Sequence, residues 1–355
     1  MKQEDLFMPE YSKYDLNTYT LPLWEGDTVY NETLMLVDEK SAPLLYKPDR
    51  VISVRSFDLL TEYVEGEDYT VEDGRIILTE NTRIPSFSAE EYYPTEGIAG
   101  KSFASLVEGH PYIFFAEGST IFRRQIHVTY THSDKWTGFL PKKSEKFGRF
   151  FEKAARGDEV TVLFFGDSIT TGANSSGRVG CEPYADTWME MIVYKMREYF
   201  KNDKIKYVNT AVGGKTTPWA IEVVGERAID INPDLMFLAF GMNDGAKSPE
   251  EEGRLTRELL DVFCAACPEC DIALVSPMLP HFRLRGFWGN QPKFEGVFSE
   301  ICEEREHVDL IPVTSVHNAT LERKRYYDMT GNNVNHPNDF LARIYAQTAL
   351  KVFFG

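Results

Sequence analysis

No apolar stretch in this chain of 355 residues approaches the roughly 20 needed to cross a bilayer, which argues against a membrane-spanning role. The opening residues Met1–Glu10 also lack the apolar run of a secretory signal, so a cytoplasmic protein is expected. Basic charge is scarce. With 38 Lys and Arg against 55 Asp and Glu, the formal charge of −17 repels phosphate backbones and anionic membrane surfaces. The densest basic runs, Lys142-Lys143 and Arg323-Lys324-Arg325, read as solvated faces, and no nucleic acid or membrane partner is expected. Cysteine is sparse and odd in number at five. Three of them, Cys264, Cys267 and Cys270, crowd together, but a zinc site wants four ligands and no second Cys or His pair lies at a suitable spacing. They read as buried or half-buried thiols in a reducing compartment, with no metal and no cofactor. Low-complexity tracts are absent too. Hydrophobic residues at 43% and charged residues at 26% describe a chain that folds throughout.

What is present divides the chain in two, as its length alone suggests. Up to about residue 140, short runs rich in β-branched and aromatic residues alternate with turn chemistry. Strands are expected at Thr28–Val37, Leu44–Phe57, Tyr112–Ala116 and Arg124–Thr131, and Glu72-Asp73-Gly74 reads as the turn of a hairpin within Asp68–Thr79. Residues 1–145 are therefore expected to form an all-β sandwich of the jelly-roll kind. Residues 146–355 begin with a short helix to Arg156 and then alternate apolar runs with helical-period segments. The strands expected are Val160–Phe165, Ile205–Asn209, Asp234–Phe240, Asp271–Ser276 and Val308–Val313. The helices expected are Tyr184–Phe200, Pro218–Ile229, Pro249–Cys264 and Asp339–Phe353. Buried strands separated by helices of this length indicate a parallel sheet covered on both faces, a three-layer α/β domain.

Ligands of such sheets bind at the carboxyl ends of the strands. Four polar clusters fall there. Gly166-Asp167-Ser168 follows the apolar run Val162–Phe165; its serine can present a hydroxyl at the sheet edge or merely cap a helix. Gly-x-Ser-x-Gly, the other serine-hydrolase pattern, fails because Thr170 holds its last position. Gly213-Gly214 lies in the segment 209–218 after the next strand and can bring a backbone N–H to a ligand, or can be a tight turn. Asn243, in Gly241-Met242-Asn243-Asp244, can donate to an oxyanion or cap the next helix. His336 lies in the polar loop Gly331–Asp339 before the last helix, with Pro337 suited to that helix's first turn.

Taken together and in this order, Ser168, Gly213-Gly214, Asn243 and His336 resemble the motif set of the SGNH (GDSL-like) hydrolases over roughly residues 160–352. The resemblance implies a serine esterase. Ser168 would be the nucleophile and His336 the general base, with the N–H groups of Ser168 and Gly214 and the Asn243 side chain forming the oxyanion hole. One position departs from the pattern. The Asp usual three residues before the histidine is Asn333 here. Asn333 or a backbone carbonyl could orient His336, Asp328 or Asp339 could fold in, or the site could be degenerate; a Ser–His pair helped by a carbonyl is the reading preferred. Asp167 is expected to be structural, since neighbours on a strand point to opposite faces.

A β-sandwich ahead of such a domain resembles two-domain carbohydrate esterases that remove O-acetyl groups. The expected substrate is accordingly a small-molecule or oligosaccharide ester, with Trp219, His281 and Trp288 as a substrate rim. The competing functions are a lipase or acyl-thioesterase of the same fold and a carbohydrate-binding protein with a degenerate site. A homo-oligomer is left open by the sequence.

Overall fold

Apolar runs bounded by turn residues become strands in the computed structural model, which describes residues 15–355. The opening segment Met1–Glu10, read above for a signal, lies outside the described residues. The first part of the chain contributes β1 (Thr28–Val37), β2 (Ser41–Pro43), β3 (Arg50–Ser56), β4 (Glu62–Tyr63), β5 (Tyr69–Glu72), β6 (Arg75–Leu78), β7 (Ser86–Phe87), β8 (Ser102–Ala104), β9 (Tyr112–Phe114) and β10 (Gln125–Thr131). The largest sheet has the order β4-β3-β10-β1-β7, antiparallel except where β7 joins β1 in parallel. The expected hairpin is β5–β6, with Glu72 opposite Arg75 and with Asp73 and Gly74 both in the left-handed region, at φ 47° and 75°. That is the two-residue turn whose twist matches its strands. The expected strand Leu44–Phe57 shrinks to β3. Pro48 offers no N–H to a ladder, and pairing starts only beyond it.

In the second part, β11 (Val160–Gly166), β12 (Ile205–Asn209), β13 (Leu235–Ala239), β14 (Asp271–Val275) and β15 (Val308–Ile311) form a parallel sheet ordered β12-β11-β13-β14-β15. Side-chain alternation along β11 and β13 sends Leu163, Phe165, Met236 and Leu238 to one face, among residues of the helices Thr217–Arg227, Pro249–Ala266 and Gln291–Glu303. Val162, Phe164 and Phe237 face the other way, toward Trp188–Phe200, Val313–Leu321 and Asp339–Phe354. The result is the three-layer α/β arrangement with a parallel sheet. Two of these helices were not expected. Gln291–Glu303 follows an aromatic insertion, and Val313–Leu321 replaces the end of an expected strand that stops at Ile311, before Pro312.

The last helix, Asp339–Phe354, is buried at all but two of its sixteen positions, Lys351 and Phe354, which are partly exposed. Its all-round burial has a simple cause, since one side meets the parallel-sheet domain and another meets β1, within a single apolar core that also takes in residues of β3 and β10. Polar contacts join the same two parts. Lys324, read from the sequence as part of a solvated basic run, is instead buried and ion-paired with Glu32 of β1, so that reading is corrected for Lys324. Arg325 is paired with Asp328 at 2.9 Å. Asp328 also accepts from the Met35 N–H at 2.8 Å, and its carbonyl accepts from the Thr33 hydroxyl at 2.6 Å.

Candidate active site

Ser168 sits just beyond the carboxyl end of β11, and glycine is required there by close packing: a methyl group on Gly166 would collide with Thr170 and the Ala239 carbonyl of β13. The turn is closed by Asp167, whose Oδ1 accepts from the Ile169 N–H at 2.9 Å while its carbonyl accepts from the N–H groups of Thr170 and Thr171. Burial, with the nearby Asp244 charge adding to it, pushes the Asp167 carboxyl up to about 7. The Asp167 side chain thus supports the turn and does not face His336. The Ser168 carbonyl is held by the Thr171 hydroxyl at 2.7 Å, leaving Ser168 Oγ 2.9 Å from His336 Nε2.

His336 is presented by a loop that is hydrogen-bonded to itself. The Asn332 Oδ1 accepts from the successive N–H groups of Val334, Asn335 and His336, and the Thr330 hydroxyl donates to the His336 carbonyl. Pro337 does not open the last helix as expected. It bridges to Thr330, and Asn338 caps the helix by accepting from Phe340 and Leu341 N–H. Asn338 Nδ2 also donates to Thr33 Oγ1 and Gln125 Oε1, tying the loop to β1 and β10.

Asn333, one of the groups that could have oriented His336, does not touch it. Asn333 adopts a left-handed backbone, φ 68°, that turns its side chain away: Oδ1 accepts from Tyr92 Oη at 2.9 Å and Nδ2 donates to the Phe114 carbonyl at 2.8 Å. Asp328 is committed to Arg325 and Met35, and Asp339 to the Ser176 N–H at 2.8 Å. The acceptor groups that face His336 Nδ1 are Asn174 Oδ1 at 2.6 Å, from the loop after Ser168, and the Glu117 carboxylate at 3.6 Å, from the turn after β9. Neither was singled out from sequence. Asn174 lies in a Gly/Ser/Asn-rich loop shortly after the nucleophile candidate, a placement that was a usable signal, whereas the Glu117 contact spans 219 positions and leaves no local one.

The oxyanion candidates lie beyond the ends of neighbouring strands, β11, β12 and β13. A methyl group on Gly213 would stand 3.7 Å from Ser168 Cβ, so that loop runs alongside the serine, and Gly214 is left-handed at φ 73°. Among the described residues, no protein acceptor engages the N–H of Ser168 or of Gly214. Asn243 lies in a 3₁₀ turn beyond β13, and its Nδ2 donates one bond, to the Lys215 carbonyl at 2.9 Å. The other hydrogen is available. A hydroxyl bonded to an imidazole beside unpaired N–H donors can lose its proton while attacking a carbonyl whose oxygen becomes negative.

The rim residues are scattered. His281 is buried, stacked on Tyr326 with ring centroids 4.5 Å apart and with Nδ1 3.1 Å from the Asn333 carbonyl, and burial depresses its titration to about 3. It supports the histidine loop from behind, which corrects its assignment to the rim. Trp219 is half-buried under Lys215 and Arg227, while Trp288 is 37% exposed and meets Phe282 edge-on at 6.4 Å.

The sequence profile of the GDSL-like Lipase/Acylhydrolase family matches residues 164–344, just over half of the chain. No curated protein matches. Among solved structures, a two-domain esterase active on acetylated mannans is similar at 16% identity and a TM-score of 0.47, over 60% of this chain and 53% of that one. The chain thus spans about half the length of that esterase. An acetylxylan esterase from Geobacillus stearothermophilus is similar at 18% identity and a TM-score of 0.46, over 55% of this chain and 95% of that one. A Parabacteroides merdae protein described as a putative GDSL-like lipase gives 16% identity and a TM-score of 0.42, over 60% of this chain and 99% of that one.

Proposed function

The chain belongs to the GDSL-like lipase/acylhydrolase family, and from that premise we propose that it hydrolyses O-acyl esters, O-acetyl groups on a sugar or oligosaccharide in particular. The observation that carries the reading is the 2.9 Å contact between Ser168 Oγ and His336 Nε2 beside unpaired N–H donors. In this reaction Ser168 Oγ attacks the ester carbonyl as its proton passes to His336 Nε2. The tetrahedral oxyanion is received by the N–H groups of Ser168 and Gly214 and the free amide hydrogen of Asn243. His336 then returns the proton to the leaving sugar hydroxyl, and water, activated by the same imidazole, clears the acyl group from Ser168. The residues before 146 are read as a β-sandwich domain that flanks the hydrolase domain.

The surroundings favour a polar alcohol over a lipid. Asn174, Asn332 and Glu117 border His336, and the exposed rings of Phe282 and Trp288 offer flat apolar faces of the kind on which sugar rings stack. Nitrophenyl esters of increasing acyl length test the acyl preference, and acetate release from acetylated xylan, mannan and simple acetylated sugars tests the alcohol. Acetyl esters should turn over fastest, and Ser168→Ala should abolish hydrolysis. A preference for long acyl chains would replace this reading with a lipase or thioesterase, and no hydrolysis by the intact protein would leave only a binding function.

A further inference from the structure

For His336 Nε2 to accept the Ser168 proton, the ring must carry its own hydrogen on Nδ1. Two amides touch that nitrogen: Asn174 Oδ1 at 2.6 Å and Asn332 Nδ2 at 2.9 Å. The Asn332 amide cannot be turned over, because its oxygen already holds three backbone N–H groups. It therefore offers a donor to a nitrogen that itself needs an acceptor, and Asn174 Oδ1 is the amide oxygen left for the Nδ1 hydrogen. Asn174 is fixed in turn by its Nδ2, which donates to the Gly331 carbonyl at 3.3 Å. Glycine at 331 makes this approach feasible, since a methyl group there would collide with Asn174.

An amide oxygen fixes the tautomer but brings no charge to balance the imidazolium that forms during attack. A carboxylate is nonetheless close. Glu117 Oε2 is 3.6 Å from His336 Nδ1, and its Oε1 accepts from Asn332 Nδ2 at 3.1 Å. Among the described residues no Lys or Arg is paired with Glu117, so its charge is not already neutralised. Partial burial alone would raise this carboxyl, but its contacts with His336 and Asn332 hold it below the ordinary value, so it is ionised at neutral pH. The other acids near the loop, Asp328 and Asp339, are committed elsewhere.

We propose that Glu117, carried by the first part of the chain, is the carboxylate that stabilises the His336 imidazolium, while Asn174 holds the ring tautomer. Both are positioning residues; they divide between them the task usually given to one acid on the histidine loop. The proposal rests on the esterase reading above. During attack the Ser168 proton moves to Nε2, Nδ1 keeps its hydrogen, and Glu117 stays ionised throughout.

The test is Glu117→Gln in the full chain, followed by kinetics on a short-chain nitrophenyl ester and by NMR titration of the His336 ring. Loss of the charge should lower kcat about 10- to 100-fold, with KM changed less than about threefold. The acidic limb of the kcat/KM profile and the ring titration should both move to lower pH by about half a unit or more, because the imidazolium has lost its counter-charge. Asn174→Ala, which keeps Glu117, should lower kcat without that downward shift. If the wild type hydrolyses esters and Glu117→Gln leaves kcat and ring titration unchanged, the proposal fails and the esterase reading stands. If the wild type hydrolyses nothing, both fail. A melting temperature unchanged within about 2 °C separates these effects from misfolding.

Discussion

Asn243 commits one amide hydrogen to the Lys215 carbonyl and keeps the other, so its side chain is both aimed and available. Asn243→Ala should therefore reduce kcat about 100- to 1,000-fold, or about 2.7–4 kcal/mol of transition-state stabilisation, with little change in KM. Steady-state kinetics would contradict this if the loss fell on KM alone. Asn243→Asp, which replaces a donor with a negative charge, should be no better than alanine. The meeting of Ser168 with His336 was legible at this scale because one follows an apolar strand and the other precedes an apolar helix, where polar residues need a reason. Asn333 and His281 misled for a related reason. Both have suitable chemistry at suitable positions along the chain, but a left-handed backbone turns Asn333 toward Tyr92, and His281 packs beneath the loop. Direction out of a loop is not written in local spacing.

The three central parallel strands, β11, β13 and β14, were legible as elements because burial on both faces makes each a nearly continuous apolar run, whereas the edge strands β12 and β15 carry exposed or half-exposed polar residues. The helix Val313–Leu321 was not, since its apolar start continues the strand before it and only Pro312 marks the change. The segment from Lys324 to Asn338 shows why charge patterns mislead: a basic run normally stays in solvent, yet here its central lysine meets Glu32 in the core. Glu32 also accepts from the Leu45 N–H at 2.9 Å and from Tyr130 Oη at 2.7 Å, so β1, β10 and the segment leading into the histidine loop share one buried polar cluster. Glu32→Ala should strand the Lys324 ammonium and lower stability by about 3–5 kcal/mol, read from the midpoint and slope of urea unfolding. The pair Glu32→Gln with Lys324→Met removes both charges and should recover at least half of that. A loss below about 1 kcal/mol in the single variant would mean that the cluster is not a strut between the two parts.

Over the whole molecule, four acids withdrawn from solvent are shifted in one direction. Burial pushes the carboxyls of Asp186 and Asp339 up to about 6 and that of Asp167 to about 7; Glu252 reaches about 8 through burial and the adjacent Asp244 charge. Their unfolded values lie near 4. Each group therefore contributes stability that is full below about pH 4 and is lost as pH rises through its folded value. Asp68 works the other way: its hydrogen bonds to Arg83 lower it to about 2, so its contribution is complete well before pH 5.5. The surface adds self-repulsion from a charge of −17. Between pH 5.5 and 8.5 the melting temperature should consequently fall. The two causes separate in salt, because about 0.5 M NaCl screens exposed charges but hardly touches buried ones. A fall that survives salt, and that becomes shallower between pH 5.5 and about 7 in Asp167→Asn, assigns it to the buried carboxyls. A fall abolished by salt assigns it to the surface, and a melting temperature that rises over this interval would contradict both.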